Sequence, residues 1–539
     1  MASLYRKDAM RTLFLLPALV LSAAEPPTPV MRVIATPLSA MPSGHDASKP
    51  EGTYAALLRA YGNGIADITP LFHSKLHARL PKTGLKPKPE PERSEILGGR
   101  IEEVYQLGDL AAIIGITGPV EKEGVDLWFL ECEGGRWVLL GNDTFSSLEK
   151  ARAKALKSLL SFSKMAKAPA VKPVSNPEAH LATFTKYLGA AGSDPKAFLL
   201  ESLERHQLVA FGEVHNRVAS WDLLIRLVQD PTFAERTGTI YLELPSHAQP
   251  LMDRFLASET LDLEPVRDIL RSIFHSGWPC KDEVDFMAAL WAVNRKLEPA
   301  RRLRVVLVDQ SWDWSGVKTK DDLVKLKSDR DALMAERIQA DLKTLPDKRH
   351  ALFQVGYLHL PSNLKEKGGG ASYPSAGQRL RAVLGSQFFT VIQHSPIMGN
   401  RGGQLDGRVR RGLFDEAFAK VGNKPVAFVL AGSPFGKEPF DMAMDLRGFE
   451  GSYEGVFDGY IFLGPLDQDR YSQVAPGFYT DAYALEVERR CQLQFGSGVK
   501  AAEDLSGSDG KALEAGMARW MGKPAVWVDK LGPVDAWRK

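Results

Sequence analysis

Five residues of types that move protons stand at or just beyond the ends of short apolar runs. Leu208–Phe211 leads into Gly212, Glu213, Val214 and His215, and "IYLELPS" carries Glu243. Leu303–Val308 ends at Asp309, and Ala351–Val355 passes through Gly356 to His359. An imidazole titrates near neutral pH, so it can take a proton from water and hand it on. A carboxylate beside it fixes the tautomer and raises its basicity. Two histidines with carboxylates can also hold a divalent metal with one position open for water, which makes Glu213, His215, Glu243 and His359 candidate metal ligands. Glu213 and His215, two apart on a tight turn, are expected to face one crevice, with Gly212 letting the backbone turn. A carboxylate inside an apolar strand, as at Glu243, is costly unless paired, which points to function. The blander alternatives are a helix cap for Glu213 or Asp309 and a solvated ring for His215.

The elements that must position these residues show in the patterning. Trp221, Leu224, Ile225 and Val228 have helical spacing, as do Leu251, Met252, Phe255 and Leu256, and then Val284, Met287, Leu290 and Trp291. One long charged helix is expected over 321–345. Further strands are expected at 388–392, 426–430 and 460–463. Apolar strands separated by helices imply an α/β fold, a largely parallel sheet with helices on both faces. In such sheets ligands bind beyond the carboxyl ends of the strands, which is where all five residues stand.

The first part of the chain reads differently. A helical pattern begins at Tyr54, and strand-like runs cover 101–107, 110–117, 125–132 and 136–140, with a hairpin signal at Gly134–Gly135. Over 52–160 this order resembles the NTF2/SnoaL-like cone domains, a smaller α+β domain preceding the α/β one. The resemblance implies a pocket or a homodimer through this domain. His73 and His77, four apart, suit packing or solvent better than a metal. Residues 1–24 have the order of a secretory signal: Arg6, Lys7 and Arg11, an apolar run from Leu13 to Leu21, then Ser22, Ala23 and Ala24. That run is too short for a stable membrane anchor, so a periplasmic or secreted protein is expected. Residues 25–51 and 161–180 read as linkers, 181–467 as the α/β domain, and 468–539 as an extension whose Trp520, Trp527 and Trp537 suggest packing.

Composition removes several classes. A net charge of +2 over 539 residues gives no case for nucleic acid. Three cysteines, Cys132, Cys280 and Cys491, do not make a disulfide framework. There is no H-E-x-x-H, "AGSPFG" around Ser433 is not a nucleophile elbow, and Gly368–Gly370 lacks phosphate-loop spacing.

"LVAFGEVHN" resembles the opening motif of the ChaN haem-binding uptake proteins, a strand ending in Gly-Glu-x-His. "IYLELPSHAQPLMDRFLAS" is similar to their glutamate strand with a downstream Gln-x-x-x-Asp, here Gln249 and Asp253. "SDRDALMAERIQADL" resembles the Arg-Asp-x-x-Met-Ala helix of the erythromycin esterases, carried by Arg330, Asp331, Met334 and Ala335. "ALFQVGYLHL" resembles the strand-Gly-x-x-His element of both. The set runs in order over 201–466. The first His stands two residues after the Glu, as in ChaN, whereas the esterases place it at three. The resemblance implies hydrolysis of an ester or similar bond in a small molecule. His215 or His359 would be the base, Glu213 and Glu243 would orient them or hold a divalent metal, Asp309 would join them, and Arg330 would steady negative charge. The alternative it implies is haem or iron binding for uptake, with His215, His359 and Tyr357 as cofactor-binding residues. A non-catalytic scaffold is the third reading.

Overall fold

The computed structural model describes residues 29–41, 46–65, 67, 69–72, 86–90, 92–117, 124–145, 147–165, 176–326, 328–345, 350–366, 372–398, 405–441, 449–495, 510–518, 521, 531 and 533–538. The expected signal segment, His73, His77, Gly368–Gly370, Trp520 and Trp527 lie outside these residues. The described chain falls into two compact units, one within 17–170 and one within 171–539.

The first unit is α+β. Its elements are β1 (Val30–Pro37), α1 (Pro50–Asn63), α2 (Glu92–Leu97), β2 (Arg100–Leu107), β3 (Leu110–Thr117), β4 (Gly124–Glu133), β5 (Arg136–Phe145) and α3 (Leu148–Met165). The strands form one antiparallel sheet in the order β1-β2-β3-β4-β5. Gly134 and Gly135 both have positive φ in the β4–β5 turn, which a side chain would resist. Ala112, Ile114, Leu127 and Phe129 project from one sheet face onto Ala151, Ala155 and Leu159 of α3. Within the expected linker 25–51, Val30–Pro37 is instead a strand. It is an edge strand with every second residue exposed, so it lacks a buried strand's apolar signal.

The second unit is α/β. It runs α4 (Pro177–Ala191), α5 (Pro195–Arg205), β6 (Leu208–Glu213), α6 (Val218–Val228), α7 (Pro231–Arg236), β7 (Thr237–Pro245), α8 (Gln249–Ala257), α9 (Glu264–Arg271), α10 (Lys281–Lys296) and β8 (Arg304–Asp309). It continues with α11 (Lys320–Lys325), α12 (Arg330–Leu342), β9 (His350–Gly356), α13 (Ala376–Leu384), β10 (Phe388–Gln393), α14 (Leu413–Lys420), β11 (Val426–Val429), α15 (Pro434–Lys437), α16 (Tyr453–Val456), β12 (Gly459–Phe462), α17 (Asp481–Phe495) and α18 (Gly510–Ala518). The seven main strands are ordered β11-β12-β10-β6-β9-β7-β8, all parallel except the edge strand β11. Because side chains alternate along a strand, the sheet feeds two cores. Val209, Phe211, Ile240 and Leu242 join Leu224, Phe255 and Met287 on one face. Leu208, Ala210 and Tyr241 join Phe184, Ile338 and Phe414 on the other.

Two expectations change in this unit. The single helix over 321–345 is two. Thr319 and Asp322 form a capping box at α11, and Asp329 caps a fresh start at Arg330. The extension after 467 is also no appendage. The Lys281 N–H donates to Gln473 O, the Ala475 N–H to Pro279 O, and Phe478, Tyr479, Tyr483, Val487 and Cys491 fill the first of the two cores. Cutting the chain after Asp467 should therefore expose that core. We expect the truncated protein to lose the cooperative urea transition of the full chain and to be digested by a protease that leaves the full chain intact.

Candidate active site

Parallel neighbours β6, β9, β7 and β8 bring their carboxyl ends side by side, and this rim collects the acidic and basic groups. Glu213 is the last residue of β6 and Glu243 lies near the end of β7. Asp309 ends β8, and His359 closes the short turn after β9. The start of α12 delivers two more groups, Arg330 and Asp331.

Glu243 is the centre. Its side chain is 7% exposed. One oxygen accepts from Arg330 Nη2 at 2.5 Å and faces His359 Nε2 at 3.2 Å. The other accepts from the Gly356 N–H at 2.7 Å and lies 3.9 Å from His215 Nε2. Burial by itself would raise this carboxyl's pKa, but His359, Arg330 and His215 outweigh it and hold the pKa well below the usual range. Arg330 is locked in turn by Asp309, with Nε at 2.7 Å and Nη2 at 2.9 Å from its two oxygens. Asp309 thus acts on Arg330, in a two-pronged pair that defines the guanidinium plane.

The two imidazoles are treated differently. His359 Nδ1 meets Asp331 Oδ1 at 3.0 Å and Nε2 meets Glu243, so both ring nitrogens face carboxylates. Asp331 is itself fixed by the Ala376 N–H at 2.7 Å. Burial would lower the pKa of His359, but Asp331 and Glu243 reverse this and raise it to about 10, so the ring is an imidazolium at neutral pH. His215 has one close partner, Glu213 Oε1, 2.8 Å from Nδ1. Its ring is 41% exposed, and Trp278 meets it edge-on with centroids 5.0 Å apart. Burial lowers its pKa, and Glu243 and Glu213 together raise it above the ordinary imidazole value.

Of the residues singled out by sequence, Glu213, His215, Glu243, His359, Arg330 and Asp309 meet at this rim. Tyr357 does not join them: it is 4% exposed and packed in the second core, where Gly212 makes room for it. A Cβ on Gly212 would stand 3.0 Å from Tyr357 Cβ. Close approach is what Gly212 is for. The tight turn expected there falls at Asn216, whose φ is +62°. Glu213 caps no helix, because α6 has no side-chain cap. Gln249 and Asp253 bond each other at 2.7 Å, and Gln249 stitches α8 to β8 through Val305 O and the Leu307 N–H.

Three contributors were not legible as site residues. Asp331 was seen only as part of a motif. Gly356 is one: a Cβ there would lie 2.7 Å from His215 Nε2. Glu283, at 3% exposed, is another. Burial, then the charges of Glu213 and Glu243, push its carboxyl well above the usual range. Its place in the first turn of α10 resembles any acidic helix start.

A divalent cation needs lone pairs that converge. Glu243 already meets three donors, Arg330, His359 and the Gly356 N–H, and His359 carries protons on both nitrogens. Among the described residues no three His, Cys, Asp or Glu side chains gather as a metal would require. The expected metal set therefore does not fit a metal, and neither His359 nor Tyr357 is placed to bind haem iron.

Fold and site together define an α/β protein with a carboxylate–imidazole–guanidinium cluster at the carboxyl rim of its sheet. No family model matches the chain, and no curated protein matches it. Among solved structures, a Bacillus cereus protein is similar over 56% of this chain and 100% of its own, at a TM-score of 0.38 and 13% identity. An erythromycin esterase mutant, EreC in its open conformation, is similar over 49% of this chain and 92% of its own, at a TM-score of 0.35 and 12% identity.

Two outcomes follow from this geometry. The folded pKa of His359, about 10, lies above the roughly 6.5 of a free imidazole. Its contribution to stability is complete below about pH 6.5 and is lost as pH rises towards 10. The urea midpoint should fall across that window in the wild type and fall less in His359→Gln. Gly356→Ala should push His215 off Glu213, seen as a shift of the ring's ¹⁵N resonances.

Proposed function

We propose that this protein hydrolyses an ester or similar bond in a small neutral molecule, with His215 as general base towards water. The observation that carries this is the difference between the two imidazoles. His359 is clasped on both nitrogens and stays charged. His215 is braced on Nδ1 alone: its ring is 41% exposed and its Nε2, beside Gly356, lies 3.9 Å from Glu243, beyond hydrogen-bonding distance. Glu213 holds the tautomer and orientation that leave Nε2 as the acceptor.

In this scheme a water beside Nε2 gives its proton to His215 as its oxygen attacks the carbonyl carbon. Charge building on the carbonyl oxygen meets the fixed positive groups His359 and Arg330, which need no rearrangement because Glu243, Asp331 and Asp309 already hold them. The proton then passes from His215 to the departing alkoxide. Glu243 keeps the two cations in place without acting on substrate. The resemblance of the helix carrying Arg330 and Asp331, and of the strand leading to His359, to the erythromycin-esterase motifs supports the same reaction class.

General-base catalysis is worth about 10²–10⁴-fold, so His215→Ala should lower kcat by that order on any ester the protein turns over. Glu213→Gln should cut kcat as well, and dialysis against a chelator should leave the wild-type rate unchanged. The rate should climb with pH through an apparent pKa above 6.5, as His215 loses its proton. A panel of neutral esters assayed by pH-stat, with circular dichroism as the folding control, measures all of this. Equal rates for wild type and His215→Ala would end the proposal.

A further inference from the structure

An unbroken line of rings leads away from His215. Trp278 lies edge-on to it. Phe274 follows with its centroid 6.3 Å from Trp278, and Trp312 follows 5.1 Å from Phe274. Trp314 lies beyond, stacked on Trp312 at 6.5 Å with 16° between the planes. The last two indoles wall an open cleft of about 500 Å³ at the ends of β7 and β8, closed on its far side by α17. The cleft is on the same rim as the cluster, and the rings bridge the two.

The line is held at a cost. Phe274 has φ +49°, a backbone region that a bulky L residue avoids. Its neighbours enforce it. Trp314 Nε1 donates to Ser272 O at 2.9 Å, the Trp278 N–H donates to Leu270 O at 3.0 Å, and Arg490 of α17 donates to the carbonyls of Arg271 and Phe274. Strain of this kind persists where the surroundings over-determine it, and it concentrates at binding sites.

The cleft's charges are already spent. Arg489 and Arg490 both bind Glu486 and backbone carbonyls, Arg490 also lies over the Trp314 ring at 4.8 Å, Asp268 binds Arg271, and Asp313 caps Ser315. His247 accepts the Trp312 N–H on Nδ1 at 3.2 Å, which leaves a hydrogen on Nε2. Burial, only partly opposed by Asp313, lowers its pKa and keeps it neutral. The wall therefore offers the half-buried rings of Phe274 and Trp278, only the edges of the buried Trp312 and Trp314, and one neutral donor, with no positive charge to spare for an anion.

We propose that this aromatic wall and cleft form a subsite for a neutral ring system, aromatic or alicyclic with an oxygen acceptor, belonging to the non-reacting part of the molecule whose bond meets His215. α17 is then part of the recognition apparatus, because its arginine holds the loop that carries Phe274. Turnover by this route rests on the hydrolase reading, whereas binding does not.

The test uses two neutral esters, 2-naphthyl acetate and ethyl acetate, and the unreactive ligand 2-naphthol. Phe274→Gly removes one ring and relieves the positive φ, so its thermal midpoint should not show the loss of a core truncation. Trp278→Leu keeps apolar bulk but not the flat face. Each variant should raise KM for 2-naphthyl acetate roughly tenfold, the scale of a lost apolar contact, with a smaller change in kcat and a smaller effect on ethyl acetate. 2-Naphthol should quench the wild-type tryptophan emission saturably, more tightly than the anion 2-naphthoate, and tenfold more weakly in Phe274→Gly. If 2-naphthol binds this way and no ester is cleaved, the subsite stands and the hydrolase reading falls. Unchanged 2-naphthol affinity in both variants, or tighter binding of 2-naphthoate, would overturn the subsite.

Discussion

A buried carboxylate met by three donors is the constraint on which the rest of the site depends. Glu243 lies deep in a parallel sheet, where an unpaired charge would cost several kcal/mol. It is tolerable only because Arg330, His359 and the Gly356 N–H converge on it, and each of these is fixed from behind. Asp309 holds the arginine, Asp331 holds the histidine, and the absence of a side chain on Gly356 lets β9 come close enough to donate. Truncating Arg330 would leave Asp309 buried without its cation, and truncating His359 would leave Glu243 to Arg330 alone.

The same pairing sorts the two histidines into different chemistry. A ring between two carboxylates cannot be a base at neutral pH or present a lone pair to a metal, so His359 is a fixed positive charge. His215 escapes because Glu213 engages only Nδ1 and Glu243 stays 3.9 Å from Nε2. Identical side chains thus take opposite roles through the number of carboxylates within hydrogen-bonding reach. The break between α11 and α12 belongs to this arrangement: the new helix capped by Asp329 has Arg330 and Asp331 as its first two residues, both bonded to the cluster.

The C-terminal segment is tied to the site through packing. Its tyrosines and phenylalanine complete one of the two cores, and Arg490 clamps the loop whose rings approach His215. The core and the wall of the cleft therefore share the same helix, and α17 is tied to the cleft through the backbone carbonyls of Arg271 and Phe274.

Much of this was legible in the sequence because parallel strands buried on both faces must read as apolar runs, and polar residues at their ends stand out against them. Glu213, Glu243, Asp309 and His359 were found this way, as were the sheet class and the order of strands along the chain. His215 stood just beyond the first of these runs, whereas Arg330 needed motif resemblance. The order of strands across the sheet was not legible, because hydrogen-bonding neighbours such as β6 and β9 are over a hundred residues apart and nothing local records their pairing. The edge strand β1 was missed for want of a buried face, and Tyr357 was misplaced because adjacency to His359 says nothing about which way a turn points its side chains. The protonation of the two histidines, the raised pKa of Glu283, and the ring line from Trp278 to Trp314 belong to the tertiary structure alone: charge and stacking depend on distances of a few ångströms between segments that meet only when the chain is folded.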